Sequence, residues 1–334
     1  MQQTMKNLLF SINIVLPLAI LLAMGYLFKK QGLFTDSFIK AGNKLCFYVL
    51  LSCSLFKNLY DSVLDEIPYK LIIFVVVSIF MEFVLGIFFA RAISDRKNQE
   101  GVIVQGVFRS NYAYIGIPLS TMMFTESQLI TDTSNEISII TIFVIPLFNT
   151  LAVMALTYMN EHKSGENLLV TSLKNLAKNP CIISVSLGIL VLLFRMAVPS
   201  AGFFIKNNLG FLYKVLGYLA SMSTPFALLM VGAGLNFSHS LTNIRKLSLT
   251  VMVKNLIFPG FILLVAALMK IFTRVDFAVM ISVFASPTAV ASAVMASEMN
   301  GDGELANEIV VYTTMFSILS LVIIIYALKT AGCL

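Results

Sequence analysis

The sequence predicts an all-α membrane protein: ten transmembrane helices in an inverted 5+5 repeat, with broken, crossing fourth and ninth helices. Three observations carry this. The 334 residues are 58% hydrophobic and only 12% charged, about half the charge of a soluble domain. The chain holds many apolar runs of about 20 residues, the length that crosses about 30 Å of hydrocarbon as a helix. These runs are continuously apolar, not alternating, which argues against a β-barrel. Finally, two of them contain helix breakers at similar places, "NYAYIGIPLS" around Pro118 and "FASPTAVASAVMAS" around Pro287.

The predicted spans, in order, cover residues 12–28, 38–59, 71–90, 102–124 and 137–158, then 180–198, 209–235, 247–269, 277–297 and 305–328. The first opens after Lys6 and is closed by Lys29 and Lys30 with no small-residue cleavage site, so it reads as a retained helix and not a signal peptide. Between the fifth and sixth spans lies the longest polar stretch, "NEHKSGENLLVTSLKN". It divides the chain into a first repeat (1–160), a linker (161–179) and a second repeat (180–334). The remaining connections are too short to fold alone, so any function sits inside the bundle.

Ten spans put both termini on one side. Leaving aside Arg109 and Lys254, 12 Lys and Arg fall in or beside the loops after spans one, three, five and seven, and 9 in or beside those of the other side. Positive-inside then puts the linker in the cytoplasm and both termini outside the cell membrane. The net charge of +6 is accounted for by lipid headgroups and needs no nucleic acid. Cys46, Cys53, Cys181 and Cys333 have no CxxC or His-rich company, so they read as small hydrophobes with neither a metal site nor a disulfide framework.

Five helices per half is an odd number, so the second half is inverted relative to the first. Pro118 and Pro287 are 287 − 118 = 169 residues apart, and the first spans of the two halves start 180 − 12 = 168 apart. Gly116 and Pro118 are expected to break the fourth span, and Ser286, Pro287 and Thr288 the ninth. Each break exposes a half-helix N-terminus with unpaired N–H groups and a partial charge of roughly +0.5, an environment that suits a carboxylate.

Arg109 and Asn111 lie in the same span, in "FRSNYAYIGIPLS". An arginine at that depth costs at least ~2.5 kcal/mol and must face a partner or a wet cavity. Its planar fork matches a carboxylate, while the alternative is a structural pair with an acidic residue or backbone carbonyls. Asn111 offers donors to orient a substrate. Tyr112 either lines the cavity or packs as an ordinary aromatic. Glu82, in the third span, is either a proton carrier or a structural partner for a basic residue. Lys254, in the eighth, either couples to transport or snorkels to the cytoplasmic face, and the neighbouring Asn255 and Pro259 mark a further irregularity. Gly232 and Gly234 allow close helix contact in the seventh span.

His162 and His239 both fall in predicted loops, and no GxSxG, Walker A, HExxH or metal-ligand spacing occurs. An enzyme is therefore the least supported class, and without Walker A the chain does not power itself with ATP. A secondary transporter or a channel remains, with no cofactor.

Several stretches, taken in order, resemble the auxin efflux carrier family. They are "VLPLAILLAMGYLFKKQGLF", "FRSNYAYIGIPL", "NPCIISVSLGILVLLF", "STPFALLMVGAGL", "VKNLIFPG" and "SPTAVASAVMASEMNGD". Asn111, Gly116, Pro118, Lys254 and Pro287 fall on family positions, and Arg109 falls where bacterial members commonly carry arginine. The family usually has a proline in the second helix where this chain has Ser52. The resemblance implies a scaffold of helices 1, 2, 6 and 7 and a transport domain of helices 3–5 and 8–10. It also implies an organic anion bound beside the crossing and elevator-type alternating access. The expected cargo is a mono- or dicarboxylate, malate-like or auxin-like. The rivals are a cation/proton antiporter or sodium-coupled symporter of similar plan, and a non-transporting membrane sensor. The oligomeric state stays open, with a homodimer as one candidate.

Overall fold

A computed structural model describes residues 2–61, 68–159, 180–198, 203–235, 244–299 and 301–334. The linker, His162 and His239 lie outside the described residues. Among those described, the chain is helical throughout, and its one β-type pairing is an isolated bridge.

The first part begins with α1 (Gln2–Lys30), α2 (Asp36–Asp61) and α3 (Tyr69–Ile93). Then come α4 (Lys97–Phe108), α5 (112–122) and α6 (Ser127–Met159). The second part holds α7 (Pro180–Ala197), the short α8 (Phe204–Asn208) and α9 (Gly210–Gly234). It continues with α10 (Ile244–Met269), α11 (274–285), α12 (Ala291–Glu298) and α13 (Gly303–Thr330). Seven of these helices (α1, α2, α3, α6, α9, α10 and α13) are long and apolar enough to cross a membrane, and the apolar stretch within α7 is shorter.

Beside a core of Leu, Ile, Val and Phe, the helices bury many small and polar positions and turn a large share of their apolar side chains outward, unlike a water-soluble bundle. On α3, Ile73, Val77 and Phe88 are each more than 60% exposed. They lie on one face, at the three- and four-residue spacings of a helix. The opposite face buries Ser78, Glu82, Gly86 and Ala90. Hydrocarbon as the outer solvent explains this pattern, because leucine and lipid tails are equally apolar.

Two glycines bring α1 and α9 into backbone contact. A Cβ on Gly25 would lie 2.1 Å from the Leu229 carbonyl oxygen, and one on Gly232 would lie 2.0 Å from that of Leu22. Gly234, expected to act alike, meets nothing within 4 Å. Helix α2 also packs on α7 and α9. Its irregularity is a π-turn at Cys46–Leu50. Just after it, at the place where the resembled family usually has a proline, Ser52 Oγ donates to the Phe47 carbonyl (3.2 Å). The irregularity expected near Asn255 is a second π-turn, Val253–Ile257, followed by Pro259 in the first turn of the resumed helix.

The remaining helices pack around the crossing. Helices α4 and α11 are each 12 residues long and lie 177 residues apart at both ends (274 − 97 and 285 − 108). Pro287 lies between α11 and α12, but Pro118 sits in the first turn of Ile117–Met122, inside α5. The two prolines therefore do not occupy matching places relative to the ends of their helices.

Candidate functional site

The break in the fourth span falls at Arg109–Asn111, not at Gly116 and Pro118. Helix α4 ends with Arg109 as its C-cap, and the chain is helical again from Tyr112, first as a π-turn to Gly116. Proline is well tolerated in a helix's first turn, where its missing N–H has no intrahelical partner anyway, which is why Pro118 interrupts nothing. Gly116 serves close approach. A Cβ there would lie 2.5 Å from the Ser282 carbonyl oxygen of α11.

The two breaks meet. Ser110 and Thr288 form an antiparallel bridge, in which Asn111 N–H donates to the Pro287 carbonyl (2.6 Å) and Ala289 N–H to the Arg109 carbonyl (3.0 Å). Pro287 contributes only its carbonyl, so its lack of an N–H costs nothing here. Thr288 N–H donates to Thr313 Oγ1 (3.2 Å), and its hydroxyl donates to the Gly106 carbonyl (2.6 Å), which the end of α4 would otherwise leave open. Ser286 Oγ donates to the Ser282 carbonyl (2.7 Å). Ser286, Pro287 and Thr288 thus stitch the crossing together.

One side of the crossing carries the C-terminal ends of α4 and α11, whose last carbonyls are a partial negative pole. Lys254 of α10 sits there. It is fully buried and donates to Ser110 Oγ (2.6 Å) and to the Phe284 carbonyl (3.4 Å). It does not snorkel. An ammonium among helix C-termini and a hydroxyl is better solvated than one reaching through packed side chains. Glu82 of α3 is also fully buried, and neither carboxylate oxygen has a hydrogen-bond partner among the described residues. The opposite charge acting on it is that of Lys254.

The other side holds a cavity of about 130 Å³. The first turns of α5 and α12 wall it with Ala113, Tyr114, Val290 and Ala291, and Phe47, Ile145, Phe148 and Asn149 complete the wall. Arg109 and Asn111 line it from the bridge. Arg109 is 5% exposed. Its Nη1 donates to Gln105 Oε1 (3.0 Å) and lies 2.9 Å from Met295 Sδ, while Nη2 donates to Asn149 Oδ1 (2.7 Å). All these partners are neutral. Among the described residues, no carboxylate lies within salt-bridge distance of Arg109. Asn111 is 3% exposed, and its Nδ2 has no hydrogen-bond partner among the described residues. The cavity therefore presents an unneutralised cation beside an unused amide donor.

Tyr112 lines the same cavity, but its hydroxyl is spent. It donates to the Ile137 carbonyl (2.9 Å) and lies 3.0 Å from Thr141 Oγ1. Sequence reasoning missed Asn149 and Gln105, which aim the guanidinium. Asn149 stands as a lone amide in the apolar run "IPLFNTLAV", and that was the available signal. No cluster of three or more His, Cys, Asp or Glu able to hold a metal occurs among the described residues. Cys46, Cys53 and Cys333 are free thiols.

No curated protein matches the chain. A family model described as membrane transport protein matches residues 10–325. Nearly the whole chain, crossing and cavity included, thus falls within that match, and the protein belongs to the membrane transport family that includes the auxin efflux carriers.

Proposed function

We propose that this membrane transporter moves a small organic anion, with its carboxylate docked between Arg109 and Asn111. The observation that carries this reading is the buried guanidinium with only neutral partners. A buried charge left unpaired is strongly unfavourable, whereas one paired and hydrogen-bonded is tolerated. An anionic cargo supplies the missing charge, and Asn111 Nδ2 supplies a second donor. The N-terminal turns of α5 and α12 add positive potential from the backbone.

The fold we infer has ten spans: the seven long helices, α7, and the two broken pairs α4–α5 and α11–α12. The equal lengths and constant 177-residue offset of α4 and α11 support an inverted repeat. Its register differs from the one that aligning the prolines gives. In this reading α1, α2, α7 and α9 form the scaffold, and α3–α6 with α10–α13 form a transport domain that carries the cavity past it in an elevator cycle. Both termini face outward from the cell membrane. Movement requires that bound cargo change the relative stability of the end states or the barrier between them.

Proton-coupled transport is favoured by one specific feature. Glu82 is a buried carboxyl with two unsatisfied oxygens, set electrostatically against Lys254 behind the crossing. Uptake of labelled organic acids into proteoliposomes, with and without an imposed pH gradient, tests both parts. Asn111→Ala and Arg109→Gln should remove saturable flux, and Glu82→Gln should remove only its response to the gradient. Unchanged flux in the first two variants overturns the site.

A further inference from the structure

We propose that the Arg109 cavity selects a compact monocarboxylate, one negative charge on a short apolar body, and discriminates against dicarboxylates and indole-sized acids. This rests on the carboxylate-transport reading above and narrows it.

Charge comes first. Arg109 is the single ionised side chain among the residues lining the cavity. Both its Nη atoms are already tied, to Gln105 and Asn149, so the cation is fixed in place and cannot follow a second anionic group across the cavity. Lys254 lies behind the bridge. Its ammonium is engaged by Ser110 Oγ and the Phe284 carbonyl, and Glu82 opposes its charge. A second carboxylate on the cargo would therefore be stripped of water with no cation to meet it, the situation that most strongly disfavours burial of an ion.

Shape comes second. At about 130 Å³ the cavity is well below the roughly 300–1,000 Å³ of sites that take drug-sized ligands. One wall is held within the moving domain, where Phe148 is 4% exposed and packs edge-on against Phe108 with centroids 6.0 Å apart. Phe47 of α2 closes the other wall in this state, its ring stacked on Tyr114 with centroids 6.5 Å apart while the Tyr114 hydroxyl donates to the Asn43 carbonyl (3.3 Å). Together they leave no room for an indole beside Arg109. One carboxylate oxygen faces the guanidinium, the other faces Asn111 Nδ2, and a branched alkyl group of three or four carbons fills the space against Phe148, Ile145 and Val290.

Calorimetric binding to the full chain in lipid nanodiscs tests this with 2-methylpropanoate, 3-methylbutanoate, succinate, malate and indole-3-acetate. The expected result is that the two branched monocarboxylates bind at least about tenfold more tightly than the other three acids, the scale on which pocket shape and unpaired polar groups discriminate. Asn111→Ala should weaken every acid that binds. Phe148→Ala should gain indole-3-acetate by about tenfold while leaving malate weak. Phe148→Leu is the milder variant should the alanine protein misfold, and the wild-type series decides the matter without either. Succinate or malate binding as well as the branched acids, with Asn111→Ala still weakening binding, overturns the proposed selectivity and leaves the transport reading standing. If none of the acids binds, or if Asn111→Ala binds them normally, both fall.

Discussion

Lys254 and Glu82 bear on stability as well as on transport, and a double-mutant cycle separates the two roles. Lys254 is fully buried with two oxygen partners, and Glu82 is fully buried with none. No ion pair joins Lys254 to Glu82 among the described residues, so the direct loss on removing Lys254 is that of a buried charged hydrogen bond, about 1.5–3 kcal/mol. Lys254→Met should therefore destabilise the protein by about 1.5–3 kcal/mol, through the lost ammonium and the exposed negative field of the α4 and α11 C-termini. Glu82→Gln keeps the shape and deletes the opposing charge. In the double variant neither charge remains, so the penalty should fall short of the sum of the singles by about 1–3 kcal/mol, the usual coupling between interacting sites. At roughly 2–4 °C per kcal/mol for a large domain, the shortfall is a few degrees. Thermal unfolding of the four proteins in one detergent measures it. Loss of the helix-end contacts is common to both proteins carrying Lys254→Met and cancels in the cycle. Additivity within about 0.5 kcal/mol would refute electrostatic coupling between Glu82 and Lys254.

Further outcomes follow from the same geometry. Arg109→Gln should weaken carboxylate binding by roughly 10- to 150-fold, the equivalent of about 1.5–3 kcal/mol for a hydrogen bond to a charged group, as read by calorimetry. Gly116→Ala should cost about 1–3 kcal/mol of stability as an overpacked contact, because its new carbon meets the Ser282 carbonyl at 2.5 Å. Gly234→Ala, with nothing within 4 Å, should leave the melting temperature almost unmoved. At the membrane edge, the Lys246 ammonium hydrogen-bonds Asp95 and holds its carboxyl below the ordinary value of 3.8. A depressed carboxyl lends stability above its unfolded pKa and loses that contribution as pH falls through the lower folded value. Melting curves of the wild type and Asp95→Asn should therefore differ by a constant small amount at neutral pH and converge below about pH 4. The effect is small because Asp95 is open to solvent.

Much of the fold was legible because hydrocarbon imposes a simple rule of one long apolar run per crossing. Five of the seven long helices follow it with edges within about three residues of the runs, while α1 and α6 begin about ten residues ahead of theirs. The broken helices were harder. Gly116 and Pro118 are the local breakers in the fourth span, yet the chain passes through both as helix. It breaks instead at Arg109–Asn111, where nothing in the local sequence forbids a helix. That break exists because the Asn111 N–H and the Arg109 carbonyl find partners on Pro287 and Ala289, a tertiary pairing with no local signature. Lys254 was misjudged for a related reason. Its distance along the helix from the membrane edge says little about depth when two helix C-termini are waiting for a cation. Arg109 and Asn111 were recognisable as costly polar groups, and both line the cavity. Asn149 and Gln105 were not recognised, because an amide in a helix becomes informative only once its guanidinium partner is known to face it.

The joint at the crossing is made of main chain, and that has a consequence for anyone mapping it genetically. Replacing Ala289 with another residue that keeps its N–H leaves the peptide groups that tie the two segments in place, whereas Ser110 also supplies the hydroxyl that accepts from Lys254. Scanning mutagenesis will therefore report on the side chains around the knot and not on its main-chain ties. Proline at Asn111 or Ala289, or an amide-to-ester exchange at either position, deletes one tie at a time and reports on the strength of the knot.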